Sequence, residues 1–314
     1  MIPISMSNAC RLMPMQSPAF DPVHLTPPLS IPSPSKNRPK FAATRRMSQS
    51  THNPVVQQQR VVIPNKHGEK LVGLLHETGS SEMVILCHAF RCSKEYNTMV
   101  NLAAALEKEG INAFRFDFAG NGESEGTDGN HWRKADDLRA VIEHFNGVSR
   151  VTSAIVGHSK GGRVVLLYAS KYHDIHTVVN VCGGYDLKGG IEDFSGKDSM
   201  QRIKEDGFID IKTKSGFIIH DVKYEYLMDS LNTNMHEACL QIDKNCRVLT
   251  VHGSADEIVP VSDALEFAKI ISNHKLQIIE GADHRYTSHQ AELASIVSSF
   301  IKKALEEDRE KSSQ

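Results

Sequence analysis

Residues 151–172 read VTSAIVGHSKGGRVVLLYASKY, and this stretch decides the fold. VTSAIV at 151–156 is a short β-branched and apolar run without polar alternation, the pattern of a strand buried on both faces. From Gly161 to Tyr172 the apolar residues follow helical spacing. Between the two lies GHSKG, leaving no room for a loop. A strand must turn sharply into a helix with Ser159 at the tip of the turn. Tiny residues are required two positions either side, and Gly157 and Gly161 supply them.

The same strand-helix unit recurs in both directions. Apolar runs at 83–87, 111–116 and 248–251 precede helical patterns at 96–108, 131–145 and 261–271. Residues 178–182 and 276–279 add two more buried strands, and 291–304 a final helix. Upstream, 60–64 and 70–77 read as a hairpin around Asn65, Lys66, His67 and Gly68. Continuous apolar strands alternating with amphipathic helices predict an α/β fold, with a mostly parallel, doubly wound sheet covered on both faces. About residues 186–245 the rhythm breaks. Runs at 208–211 and 217–222 flank Lys214, Ser215 and Gly216, predicting an inserted cap with a small hairpin that walls a substrate pocket.

A strand-turn-helix with GxSxG at the turn is the arrangement of a nucleophile elbow, which makes Ser159 the candidate nucleophile. The N–H of Lys160, at the helix N-terminus, points where an oxyanion would form. The Lys160 side chain is expected to be solvated, and His158 to be a packed neighbour. A serine hydroxyl needs a histidine to take its proton and a carboxylate to fix that histidine's tautomer. Asp256 follows the run RVLTV within His252, Gly253, Ser254, Ala255, Asp256; His284 follows LQIIE within Gly281, Ala282, Asp283, His284. Both sit in loops after strands, in the chain order Ser, acid, His. Glu257, Asp186 and Asp283 are rival acids, and His289 a rival base. Phe90, after the strand at 83–87, is the candidate second oxyanion donor, or else a core aromatic.

Composition narrows the field. The chain has 314 residues, 40% hydrophobic and 24% charged, enough for one sizeable core, and its formal net charge of −2 offers no basic field for nucleic acid. No stretch has the length and apolarity of a membrane span. The six cysteines form no CxxC pair or zinc spacing, so neither metal nor cofactor is expected, and Cys87 and Cys182 read as buried free thiols in a reducing compartment. Residues 117–130, DFAGNGESEGTDGN, tempt toward a dinucleotide or calcium loop. Their glycines miss GxGxxG by one residue, and their acids lack EF-hand spacing. Residues 1–50 are rich in Pro, Ser and Met with Asp21 as the single acid, a leader unable to build a core. That composition points to a chloroplast transit peptide; a start at Met47 would instead leave a cytoplasmic protein. A charged tail is expected at 306–314.

RFDFAGNGESEG, GHSKGG, GSADEIVP and GADH together resemble the α/β-hydrolases grouped with the S33 serine aminopeptidases and cinnamoyl (feruloyl) esterases, over about residues 60–300. The leader suggests a plant-type member. EDGFID and the short strand after it resemble the small β-containing lid of the cinnamoyl esterases. The resemblance implies a serine hydrolase with Ser159, Asp256 and His284 as triad and the Phe90 and Lys160 N–H groups as oxyanion hole. Its substrate would be a small or medium carboxylic ester cleaved through an acyl-enzyme. Acyl transfer or lipase-like action on the same triad, a peptidase, and ligand binding without turnover are the alternatives. The family usually has HGF where this chain has His88, Ala89, Phe90, so a tightened or misplaced oxyanion loop is expected at Ala89. Oligomeric state has no signature in the sequence.

Overall fold

The computed structural model describes residues 58–186, 199–212 and 218–313. The leader and the Lys214–Ser215–Gly216 turn lie outside them. Among the described residues, an eight-stranded sheet forms the body. Its strands are β1 (Gln58–Pro64), β2 (Lys70–His76), β3 (Glu82–Cys87), β4 (Asn112–Phe116), β5 (Val151–His158), β6 (Thr177–Val181), β9 (Arg247–Gly253) and β10 (His274–Ile279). They lie in the order β1-β2-β4-β3-β5-β6-β9-β10; β2 runs antiparallel to β1 and β4, and the remaining pairs are parallel. The hairpin turn at Asn65 is closed by its side chain, which accepts from the N–H groups of His67 and Glu69.

Each central strand feeds two cores, as a pleat with period two requires. Met83, Ile85 and Cys87 of β3 face one side, Val84 and Leu86 the other. The first face is covered by α2 (His131–Gly147), α3 (Lys160–Tyr172) and α7 (Val261–Ile270), through Leu138, Val141, Val164, Leu167 and Phe267. The second is covered by α1 (Asn97–Lys108) and α8 (Gln290–Ser312), through Met99, Leu102, Leu106, Leu293, Val297 and Ile301. Double coverage is why these strands read as unbroken apolar runs. The final helix runs through the expected charged tail, where Arg247 pairs with Glu307 at 3.2 Å and with Asp308.

The insertion after β6 contains α4 (Ser199–Asp206), the antiparallel pair β7 (Phe208–Lys212) and β8 (Ile218–Lys223), α5 (Tyr224–Asn232) and α6 (Met235–Leu240). Ile203, Ile209, Val222 and Leu227 form a small core of their own. By contrast, Met235, Ala238, Cys239 and Ile242 join the main core. The separately packed part of the insertion therefore ends with α5.

Candidate active site

The turn from β5 into α3 puts Ser159 at φ 54°, ψ −112°, a conformation a side-chain-bearing residue adopts only under constraint. The constraint comes from its neighbours. A Cβ on Gly157 would lie 2.0 Å from the Gly161 carbonyl oxygen, and one on Gly161 would lie 2.3 Å from that of Cys87. Either would push the elbow apart. The Ser159 N–H is meanwhile tied to the Val181 carbonyl at 2.7 Å, which locks the turn to β6.

β9 and β10 end beside this turn, because parallel strands deliver all their following loops to one edge. His284 Nε2 lies 3.0 Å from Ser159 Oγ, and His284 Nδ1 lies 2.7 Å from Asp256 Oδ2. These contacts assign the proton to Nδ1 and leave Nε2 to accept from the serine hydroxyl. Asp256 Oδ1 accepts the N–H groups of Ile258 and Val259 at 2.9 and 2.8 Å. Burial alone would raise the Asp256 pKa. Hydrogen bonds from His252 and His284, the His284 charge and the Val259 N–H outweigh it, and the carboxyl is held well below the usual range.

The rivals take other places. Glu257 accepts the His284 backbone N–H at 3.1 Å, steadying the base from behind. Asp283 caps the Thr287 N–H at 2.7 Å, His289 precedes α8, and Asp186 is exposed beyond β6. His158 is buried and donates from Nε2 to the His284 carbonyl at 2.9 Å; burial first, then the His284 charge, pushes its pKa down to about 3. It is the packed neighbour the sequence suggests. Cys182, whose thiol burial pushes well above its usual value, also contacts that carbonyl. His158, Cys182 and His284 bring potential metal ligands within 4.8 Å of one another. Both His284 nitrogens are already engaged, so a metal there would dismantle the Ser-His-Asp chain.

The loop that carries Phe90, the candidate second oxyanion donor, is held by His88. Its Nε2 accepts the Phe118 N–H at 3.2 Å, so Nδ1 carries the proton and donates to the Ala89 carbonyl at 2.8 Å. Burial pushes the His88 pKa down to about 4, which keeps the ring neutral for that double role. Ala89 corrects an expectation. The residue of this loop with positive φ is Arg91, at 53°, not Ala89. A glycine's freedom is not used at position 89.

The Lys160 side chain contradicts the expectation of a solvated group: it is 3% exposed. Its Nζ sits 3.3 Å from Asp128 Oδ1, 4.6 Å from the Tyr226 ring centroid and 5.3 Å from that of Phe90. Burial, then the charge of Lys134, pushes its pKa down to about 7 against the pull of Asp128. One carboxylate serves two ammoniums, since Lys134 Nζ lies 2.5 Å from the same oxygen. Phe90 is half-buried and stacks on Tyr226, centroids 4.2 Å apart and planes at 22°. A cavity of about 1060 Å³ opens beside this stack, between residues 120–132 and α5. The glycine-rich segment that mimics a nucleotide loop is one of its walls. That segment folds around buried Asp117, which accepts from Lys94 N–H at 2.6 Å and Glu123 N–H at 2.9 Å.

His252 is a partner that the sequence did not single out. Buried, its Nε2 lies 3.3 Å from Asp256 Oδ2 and 3.0 Å from the Val259 carbonyl. Its place four residues before the acid was the available signal.

Comparison with known proteins agrees with this architecture. Residues 79–197 match the family described as Serine aminopeptidase, S33, and residues 141–280 match BAAT / Acyl-CoA thioester hydrolase C terminal. An uncharacterized protein of Saccharomyces cerevisiae is 27% identical over 231 residues, covering 66% of this chain and 69% of its own. Many solved structures are similar in fold, among them the two that follow. One is Est1E from Butyrivibrio proteoclasticus with ferulic acid bound (22% identity, 78% of this chain, 99% of that one, TM-score 0.62). The other is the esterase Pf2001 from Pyrococcus furiosus (21% identity, 79% and 93%, TM-score 0.61). At such identities the likeness concerns the fold.

Proposed function

We propose that this chain, which has the α/β-hydrolase fold, is a serine hydrolase that cleaves a small or medium carboxylic ester through an acyl-enzyme. The observation that carries the reading is the unbroken chain Asp256–His284–Ser159, at 2.7 and 3.0 Å, in a buried corner of the sheet edge. In the proposed reaction, Ser159 Oγ attacks the ester carbonyl carbon as its proton passes to His284 Nε2. Asp256 holds the Nδ1–H and stabilises the imidazolium, without taking the proton. The carbonyl oxygen becomes an oxyanion that accepts from the N–H groups of Phe90 and Lys160. One such donor is worth roughly 10²–10³ in kcat. Collapse expels the alcohol, which takes the proton back from His284. Water repeats the sequence and releases the acid.

The esterase among the similar structures, and the ferulic acid bound in the other, support an ester substrate. A second reading rests on the match of residues 141–280 to an acyl-CoA thioester hydrolase family: the same acyl-enzyme would be loaded from a thioester or discharged to an alcohol. The test is a panel of aryl and acyl esters and thioesters of graded length, assayed on wild type and Ser159→Ala, with fluorophosphonate labelling in parallel. Labelling and turnover that vanish together in Ser159→Ala are expected. Folded wild type that neither labels nor turns over any member sinks the enzyme reading. Product partition in added alcohol separates hydrolysis from transfer.

A further inference from the structure

We propose that Tyr226, in the cap helix α5, is a positioning residue for the oxyanion hole, so that the cap sets the rate of acyl transfer as well as the shape of the pocket. The inference rests on the acyl-enzyme reading above.

Both residues assigned as oxyanion donors send their side chains to this one cap residue. The Phe90 ring stacks on Tyr226 at 4.2 Å, and Lys160 Nζ lies 4.6 Å from the Tyr226 centroid. An ammonium over an aromatic face, which Lys160 supplies when protonated, and two stacked rings are both orientation-dependent contacts, so they fix angles as well as distances. The two donors come from loops far apart in sequence. Their side chains meet at the cap.

The loop around Phe90 is anchored on its β3 side through the Ala89 carbonyl. His88 grips the Ala89 carbonyl, and the Cys92 N–H returns to the same oxygen at 3.2 Å. Arg91, immediately after Phe90, stands at φ 53°. A bulky residue in that region persists only where its surroundings hold it. Arg91 also lies over the Phe90 ring at 5.1 Å, opposite in sequence to the His88 anchor. Tyr226 adds a contact to this loop from the cap side.

The cap helix is able to act as a fixed reference. Asp229, one turn beyond Tyr226, accepts from the His131 backbone N–H at 2.9 Å and bonds to His131 Nδ1. His131 is fully buried at the start of α2, and its Nε2 lies 3.4 Å from Arg163 Nη1 in the nucleophile helix. Residues three apart on a helix share a face. Asp229 therefore pins the face that presents Tyr226, and the pin reaches back to α3, which begins with Lys160. Asp128, lining the adjacent cavity, also holds Lys160 Nζ, at 3.3 Å.

The experiment compares Tyr226→Leu, Tyr226→Phe, Phe90→Leu and the double leucine variant in the full chain. It measures kcat and KM on one activated ester, together with the second-order rate of fluorophosphonate labelling, whose phosphonyl oxygen occupies the same hole. Displacing a catalytic group by an ångström costs on the order of 100-fold. Tyr226→Leu should thus lower kcat and the labelling rate by about 10- to 100-fold, with KM within about threefold of wild type. Tyr226→Phe, which keeps the ring, should restore both to within about threefold. Phe90→Leu removes the other half of the stack without touching the cap's own core, and keeps the test decisive if Tyr226→Leu folds poorly. The double variant should lose no more than the worse single one, because both remove the same contact. Multiplicative losses, or a Tyr226→Leu that changes KM alone, overturn the proposal. Wild type that fails to label overturns the acyl-enzyme reading instead.

Discussion

Replacing Asp256 by asparagine tests the site more sharply than deleting the side chain. Asp256 Oδ1 accepts two backbone N–H groups, at 2.9 and 2.8 Å, while Oδ2 faces His284 Nδ1 at 2.7 Å and His252 Nε2 at 3.3 Å. The two backbone donors dictate how an amide must lie: its oxygen replaces Oδ1 and its NH₂ replaces Oδ2. That NH₂ then confronts the Nδ1–H of His284. The ring relieves the collision by moving its proton to Nε2, and in that tautomer it cannot accept from Ser159. Forcing the wrong tautomer on a triad lowers kcat by about 10⁴, equivalent to about 5 kcal/mol of transition-state stabilisation. Asp256→Ala imposes no orientation, so part of the population keeps the productive tautomer. The asparagine variant should therefore be the slower of the two, although it is the more conservative change. The assay is steady-state release of an aryl alcohol near pH 7.5, normalised to folded protein. An asparagine variant retaining more than about a hundredth of wild-type kcat, or one faster than the alanine variant, would refute the reasoning.

Three further outcomes rest on individual contacts. Lys160 titrates at about 7 when folded and near 10.4 when unfolded, so above pH 7 the folded chain binds fewer protons and the group's contribution to stability rises with pH. Wild type should gain about 2 kcal/mol relative to Lys160→Met between pH 6 and 8.5 in urea unfolding, and parallel profiles would contradict the buried ammonium. Gly157→Ala drives a Cβ to 2.0 Å from backbone, whereas Gly147→Ala, at the end of α2, meets nothing within 4 Å. The first should lose more than about 3 kcal/mol and the second gain about 0.5–1 kcal/mol in denaturant melts; a destabilised Gly147→Ala is the adverse result. Ala89→Gly should leave kcat/KM within about twofold on the best ester, and a tenfold gain would show that the methyl group does distort the loop.

The sheet was legible in the sequence because strands covered on both faces are rich in apolar residues, and each run from 83–87 to 276–279 falls on an observed strand, although the edge strand β10 leaves Lys275 and Gln277 exposed. The convergence of Ser159, Asp256 and His284 was legible for a related reason: each lies in the turn or loop that follows such a run, and parallel strands gather their trailing loops at one edge. The features that escaped depend on contacts distant along the chain. Lys160 reads as solvated because lysine usually is; Asp128, Phe90 and the cap's Tyr226 bury it. His252 escaped because its one signal, a place four residues before Asp256, does not say that the two side chains will meet. The final helix was underestimated for the opposite reason. Residues 306–312 are charged, and their partner Arg247 lies about sixty positions upstream.

The strand order also governs how such a chain is made. The β1–β6 part of the sheet is complete by Val181, but the strand that covers the outer side of β6 begins at Arg247. While the intervening cap is being synthesised, β6 stands as an open edge with unpaired backbone groups, a template for pairing with other nascent chains. Ser159, the proposed nucleophile, exists throughout that interval, but the proposed acid Asp256 and base His284 have yet to be translated. Until β9 and β10 dock, the emerging polypeptide carries an unarmed serine and needs shielding along one edge. On the proposed mechanism, chemical competence and protection from aggregation thus arrive in the same final step of assembly.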